Sequence, residues 1–224
     1  MKIKIISFLF IGFSCLLYSS CEKNDDNEKM VSVTVPTIKS KTEIRNSISV
    51  TEPKPTNGDG KIYVYEDLLF YIAQQSGIHI FDNHNPASPQ NLAFIKLEGV
   101  KDIAVKNNIL YADNYMDLVV FDINDISGIE LVNIEENIFN YYASYPDEAT
   151  DFFQNISSLN QDEIITKYEV VNMNRYDVEN QYETFYNFSM PTFEGAFANT
   201  IGVGGSLAKF QIYNDVLYTL EDYK

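Results

Sequence analysis

The sequence is poor in residues that cross-link, ligate metals or neutralise acids. In 224 residues it has two cysteines, two histidines and no tryptophan. Two cysteines cannot staple a chain of this length, so a disulfide scaffold is excluded. A Cys/His zinc site fails for want of ligands. Basic residues are also scarce: 16 Lys+Arg stand against 32 Asp+Glu, a formal net charge of −16. Such a chain repels phosphate, which argues against nucleic acid as a partner. What it does have is material for a core. Hydrophobic residues make up 45% and aromatics 14%, too much for a chain disordered throughout.

The first twenty residues read as an address. Lys2 and Lys4 precede an apolar stretch from Ile5 to Leu17, and Ser19 and Ser20 lead into Cys21. This is the layout of a secretory signal, too short to span a bilayer permanently. Tyr18-Ser19-Ser20-Cys21 resembles the lipobox of bacterial lipoproteins, with Tyr18 in place of the preferred Leu. That resemblance implies cleavage before Cys21 and acylation of its thiol, which anchors the chain through its buried methylenes. Cys15 lies inside the apolar stretch and is read as a discarded hydrophobe. Losing Lys2 and Lys4 takes the charge from −16 to −18. Residues 21–58 are expected to be a tether and lead-in segment. Its first part, Glu22 to Lys29, is polar and aperiodic. That stretch is similar to surface-export signals of some lipoproteins, and reads equally well as a solvated spacer.

The body contains a repeat. Gly60 to Ile72 reads as strand, turn, strand, and so does Ile103 to Asp113, with Leu110 standing 41 positions after Leu69. The turns Glu66-Asp67 and Asn107-Asn108 are polar pairs that suit a tight hairpin. Third strands follow at Ile78–Asp82 and Leu118–Asp122, 40 positions apart, each ending in Phe-Asp. Fourth strands are expected at Asn91–Leu97 and Ile129–Ile134. A period near 40 with four short strands is the spacing of a β-propeller blade; two unrelated hairpins of a sandwich are the alternative. A further copy of the strand-turn-strand form runs from Phe210 to Leu220. The expected fold is therefore mainly β: a partial propeller of two repeats at 59–139, an insertion at 140–203, and the start of another repeat at 204–224. Two repeats and part of a third do not close a ring. The chain is thus expected to be part of a longer protein, and marginally stable alone.

Leu118-Val119-Val120-Phe121-Asp122 resembles the motif of the LVIVD-repeat family. Gly60-Lys61-Ile62-Tyr63-Val64-Tyr65, Gly77-Ile78-His79-Ile80-Phe81-Asp82 and Gly204–Phe210 are similar to segments of lipoproteins in that family. The resemblance covers roughly 40–140 and 200–224. It implies a β-propeller on the outer side of a bacterial membrane. It carries no reaction and no catalytic residues.

The stretch from Asn140 to Thr200 breaks the period. Its ten acids face only Lys167 and Arg175, half of the net charge of the chain. Pro146 is expected to open a helix that puts Phe152, Ile156 and Leu159 on one face. Tyr182, Thr184, Tyr186, Phe188 and Met190 alternate like a strand. The aromatics read as an apolar cluster with an acidic rim, or as a contact surface.

Elsewhere the signals are weak. His79 is expected to face solvent from its strand. His84 has no acid at a telling spacing. Asp82 and Asp122 are expected to accept backbone N–H bonds in the turns that follow them. Asp113-Asn114 to Asp117 lacks calcium-loop spacing. Gly202 to Ser206 is read as a flexible connection rather than a phosphate loop. No catalytic residue, metal or cofactor is assigned; the one site residue is Cys21, for lipid. The sequence thus points to a lipid-anchored module of the bacterial outer membrane. It would bind an envelope protein or glycan without catalysis; the alternative is an envelope enzyme with its site in a propeller funnel.

Overall fold

Polar pairs between apolar runs are where this chain reverses. In a computed structural model, which describes residues 29–56, 58–73, 76–144, 150–156, 158–181, 185–187 and 209–220, Glu66, Asn107, Asn108, Asn214 and Asp215 all adopt positive φ, between 47° and 60°. Asn and Asp tolerate this region, so Asn107-Asn108 and Asn214-Asp215 close their hairpins with both residues there, whereas in the first repeat Glu66 alone takes it.

The chain begins with β1 (Met30–Ser40), a short helix α1 (Lys41–Asn46) capped by the Ser40 hydroxyl, and β2 (Ser49–Thr51). The first repeat follows as β3 (Gly60–Tyr65), β4 (Leu68–Ala73), β5 (Gly77–Asp82) and β6 (Gln90–Lys96). The second is β7 (Ile103–Lys106), β8 (Ile109–Asn114), β9 (Asp117–Asp122) and β10 (Glu130–Glu135). Each is an antiparallel meander in sequence order, and β2 adds to the free edge of β6. The duplication extends to an irregularity. In each meander the pairing of third and fourth strands shifts by one residue. The extra residues, Leu92 and Val132, stand 40 positions apart, matching the strand offset. A bulge is a built feature of a sheet, so its recurrence marks the two units as copies.

The copies stack face to face. Phe70, Ile72, Ile78, Ile80 and Ile95 of the first meet Ile103, Val105, Leu110, Val119 and Phe121 of the second in one core, all under 7% exposed. Tyr63 Oη accepts from the N–H of Val105 at 3.2 Å. The third hairpin, β14 (Phe210–Tyr213) and β15 (Val216–Thr219), stacks Phe210, Ile212 and Leu217 on the other face of the second meander, against Ala104 and Leu118. Two buried carboxylates lock the stack. Asp102 accepts from Lys61 Nζ at 2.6 Å and from the N–H groups of Lys209 and Phe210. Asp113 accepts from Lys209 Nζ at 2.8 Å and from the N–H groups of Lys101 and Asp102.

Two expectations are corrected here. The lead-in does not remain a tether: β1 is an eleven-residue strand, paired antiparallel along its length with β12 (Glu163–Asn174). Its other edge runs parallel to β11 (Phe152–Gln154), which pairs with β13 (Phe185–Asn187). Residues 22–28 lie outside the described residues. The second correction concerns Phe152, placed above on a helix with Ile156 and Leu159. It sits in β11, because pairing with β1 satisfies its backbone and buries its ring with Val31, Val33, Val178 and Phe185. Val178 belongs to α2 (Arg175–Asn180), capped by the Asn174 side chain. The described parts of 140–203 are therefore not a free insertion but the larger share of a sheet begun by β1. Only Phe185–Asn187 of the expected alternating strand is described as strand.

This sheet is fastened to the second repeat. Arg45 holds the fully buried Asp117 with both Nε (2.7 Å) and Nη2 (3.0 Å), and reaches Glu136 with Nη1. Tyr141 Oη donates to the Thr166 carbonyl at 2.6 Å, and burial pushes its hydroxyl up to about 12. Among the described residues the fold is mainly β, with several antiparallel sheets and none of them closed.

Candidate functional site: a cleft on the outer face of the first sheet

Strand alternation gives the first sheet two unlike faces. Phe70, Ile72, Ile78 and Ile80 point into the core. Ile62, Val64, Tyr71, His79 and Phe94 take the opposite side, fixed by the pairs Ile62↔Tyr71, Tyr71↔His79 and His79↔Phe94. On the β5–β6 side of this outer face lies a cleft of about 360 Å³, lined by Lys54, Pro55, Ala73, Ser76, His79, Phe94, Lys96 and Glu98.

His79 is 3% exposed, not solvent-facing as expected from the sequence. The alternation around it is as anticipated, but the far face of the sheet is covered too. Phe94 packs 4.6 Å from the imidazole, ring centre to ring centre, with Tyr71 at 5.8 Å. Residues 52–56 bring Lys54 over Phe94, its Nζ 4.6 Å from the ring centre, a favourable cation–π distance. Nδ1 of His79 has no hydrogen-bond partner. Burial lowers the pKa of the ring; a hydrogen bond to the Lys54 backbone opposes this, and the Lys54 charge adds to it. His79 is thus a neutral, buried imidazole at physiological pH.

The cleft combines an aromatic wall, two ammonium groups and one carboxylate. Glu98 is already paired with Lys39 at 2.7 Å, and Ser76 Oγ donates to the Ala73 carbonyl. Hydroxyl and carboxylate are therefore engaged elsewhere, while Lys54 and Lys96 leave the cleft positive in an otherwise acidic chain. Such a place can hold a polar or anionic group; it has no activated nucleophile.

The other singled-out residues lie apart from it. Asp82 and Asp122 accept from the N–H groups of His84 (2.9 Å) and Asn124 (2.8 Å), the turn role expected of them. His84 does have acids: Nδ1 lies 2.7 Å from Asp82 and Nε2 lies 3.2 Å from Asp67. The hairpin turn brings Asp67 there from a distance that sequence spacing hides. Asp113 and Asp117 are filled by Lys209 and Arg45. Among the described residues, no three His, Cys, Asp or Glu side chains converge as a metal site requires. Cys15, Cys21 and Gly202 to Ser206 lie outside the described residues. Lys54, Phe94, Lys96 and Glu98 were not legible as a group. Phe94 could have been found by pairing it with His79 across the strands, but nothing in the alternation reveals that 52–56 folds back.

Compared with known proteins, the chain matches no family model, no curated protein and no solved structure.

Proposed function

We propose that the protein is a lipid-anchored β-propeller lipoprotein of the bacterial outer membrane, of the LVIVD-repeat kind, acting as a non-catalytic binding or scaffold module. The observation that carries the propeller reading is the stacking of two four-stranded meanders that repeat to the bulge, with a third hairpin added in the same sense. Blades of a propeller are meanders that cover one another in this way. The binding reading draws on the cleft, whose side chains suit holding a ligand and include no poised nucleophile. The anchor is Cys21, by the lipobox resemblance, and the partner is an envelope protein or glycan.

Two experiments test this separately. Cells fed an alkyne palmitate analogue should label the wild-type chain, and Cys21→Ser should abolish both label and membrane retention. Retention of the Ser variant in the membrane fraction would remove the anchor from the reading. Purified protein should bind saturably in a panel of envelope glycans and proteins, and a blank panel would count against a binding module.

A further inference from the structure

The cleft on the first sheet is opposite in charge to the chain that forms it. Lys54 and Lys96 line it, and among the described residues neither is paired with a carboxylate. Glu98 lines it too, but Lys39 neutralises that carboxylate at 2.7 Å. Three ammonium groups thus stand against one carboxylate, in a chain of net charge −16. The missing partner is an anion. The other polar atoms call for a donor instead. Ser76 Oγ spends its one proton on the Ala73 carbonyl, so it can only accept. Lys39 takes Oε2 of Glu98, and Oε1 accepts no hydrogen bond from the described residues. Nδ1 of His79 has no partner. The ring donates to the Lys54 backbone from its other nitrogen, so Nδ1 is an acceptor as well. Hydroxyl groups supply such donors. Between the polar atoms, Pro55, Ala73 and Phe94 offer apolar surface. The volume of about 360 Å³ is at the small end of ligand pockets, room for about one sugar ring.

We propose that the cleft binds an acidic sugar, a polyhydroxylated ring bearing one carboxylate or phosphate. Lys54 and Lys96 hold the anion, and the ring hydroxyls donate to Ser76 and Glu98. Charge-assisted hydrogen bonds to the two ammonium groups supply most of the affinity, and the acceptors select for hydroxyls. The proposal rests on the reading of the protein as a binding module and gives that module a ligand class. A neutral sugar would leave both lysines without a counter-charge. A small anion without hydroxyls would leave the acceptors without donors.

Calorimetric titration of the full chain in detergent tests this with a small set of probes. Glucuronate and glucose-6-phosphate carry both features, and at least one should bind saturably; the tighter of the two identifies the anion. Glucose lacks the charge and cyclohexanecarboxylate lacks the hydroxyls, so each should bind at least about tenfold more weakly. Lys54→Gln and Lys96→Gln should each weaken the acidic sugar by about tenfold. Lys167→Gln removes the same charge from β12 and should leave binding unchanged. Thermal melts verify that the variants fold. The imidazole resonances locate the ligand: those of His79, which lines the cleft, should shift on binding, and those of His84 should not. Failure of both acidic sugars to bind, equal binding of glucose or cyclohexanecarboxylate, or full affinity in either Lys→Gln cleft variant would each overturn the proposal. A chain that fails in this way but still binds a component of the envelope panel keeps the binding reading; one that binds nothing in either assay loses both.

Discussion

The two histidines report on two opposite environments. Asp82 is the main cause that raises the pKa of His84, with Asp67 adding to it, whereas burial lowers that of His79. In a pH titration followed by the imidazole resonances, His84 should titrate above 6.5 and His79 below it. The linkage signs follow. The raised His84 contributes stability that is fully present below its unfolded pKa and fades as pH rises through its folded value. The depressed His79 does the reverse: its contribution is present above the unfolded pKa and is lost as pH falls toward its folded value. A reversed order of the two titrations would contradict both environments. Among the ion pairs, Arg45–Asp117 is the one whose loss should matter most, because Asp117 is fully buried and Arg45 is its ion-pair partner. Arg45→Met should cost about 3 kcal/mol in urea unfolding, since a buried carboxylate loses its counter-charge. A loss near zero would place Asp117 in water.

At the scale of elements, the sequence disclosed most where local chemistry decides. Hairpin turns are set by two residues, and Asn107-Asn108 and Asn214-Asp215 adopt the positive φ that their polar side chains allow. Asn107→Val should cost about 1 kcal/mol, and Asn107→Gly should not, as read by thermal melts. Gly77 is a harder constraint. A Cβ there would lie 2.2 Å from the Ile95 carbonyl oxygen and 2.6 Å from the Phe94 ring. Gly77→Ala should therefore part β5 from β6, destabilise by about 3 kcal/mol or more, and disturb the cleft. The bulges at Leu92 and Val132 were not legible, since an extra residue in a strand leaves no mark in an apolar run. The pairing of β1 with β11 and β12 was hidden for another reason. Its partners lie more than a hundred residues away, and Val31, Val33 and Val35 fit a strand without saying where it pairs. His79 shows the same limit on a single face. Alternation sets which neighbours share its side, but coverage from residues 52–56 decides whether that side is wet.

Across the whole molecule, cohesion depends on a few polar contacts between sheets. Asp102 joins all three repeat units: it takes Lys61 from the first and the start of β14 from the third. Asp102→Ala should release the β14–β15 hairpin first. Hydrogen exchange should then lose protection at Phe210–Thr219 while the first two meanders keep theirs. Uniform loss across all three would show instead that the stack unfolds as one unit.

The early start of β1 also sets a length. Only residues 22–29 separate Cys21 from Met30, and eight residues reach at most about 30 Å when fully drawn out. A lipid on Cys21 would therefore hold the body on a short leash, within about one bilayer thickness of the membrane surface. The sheet built on β1 would be the part held nearest to the lipid. A partner set farther out would have to reach down to the cleft, because the protein could not rise to meet it.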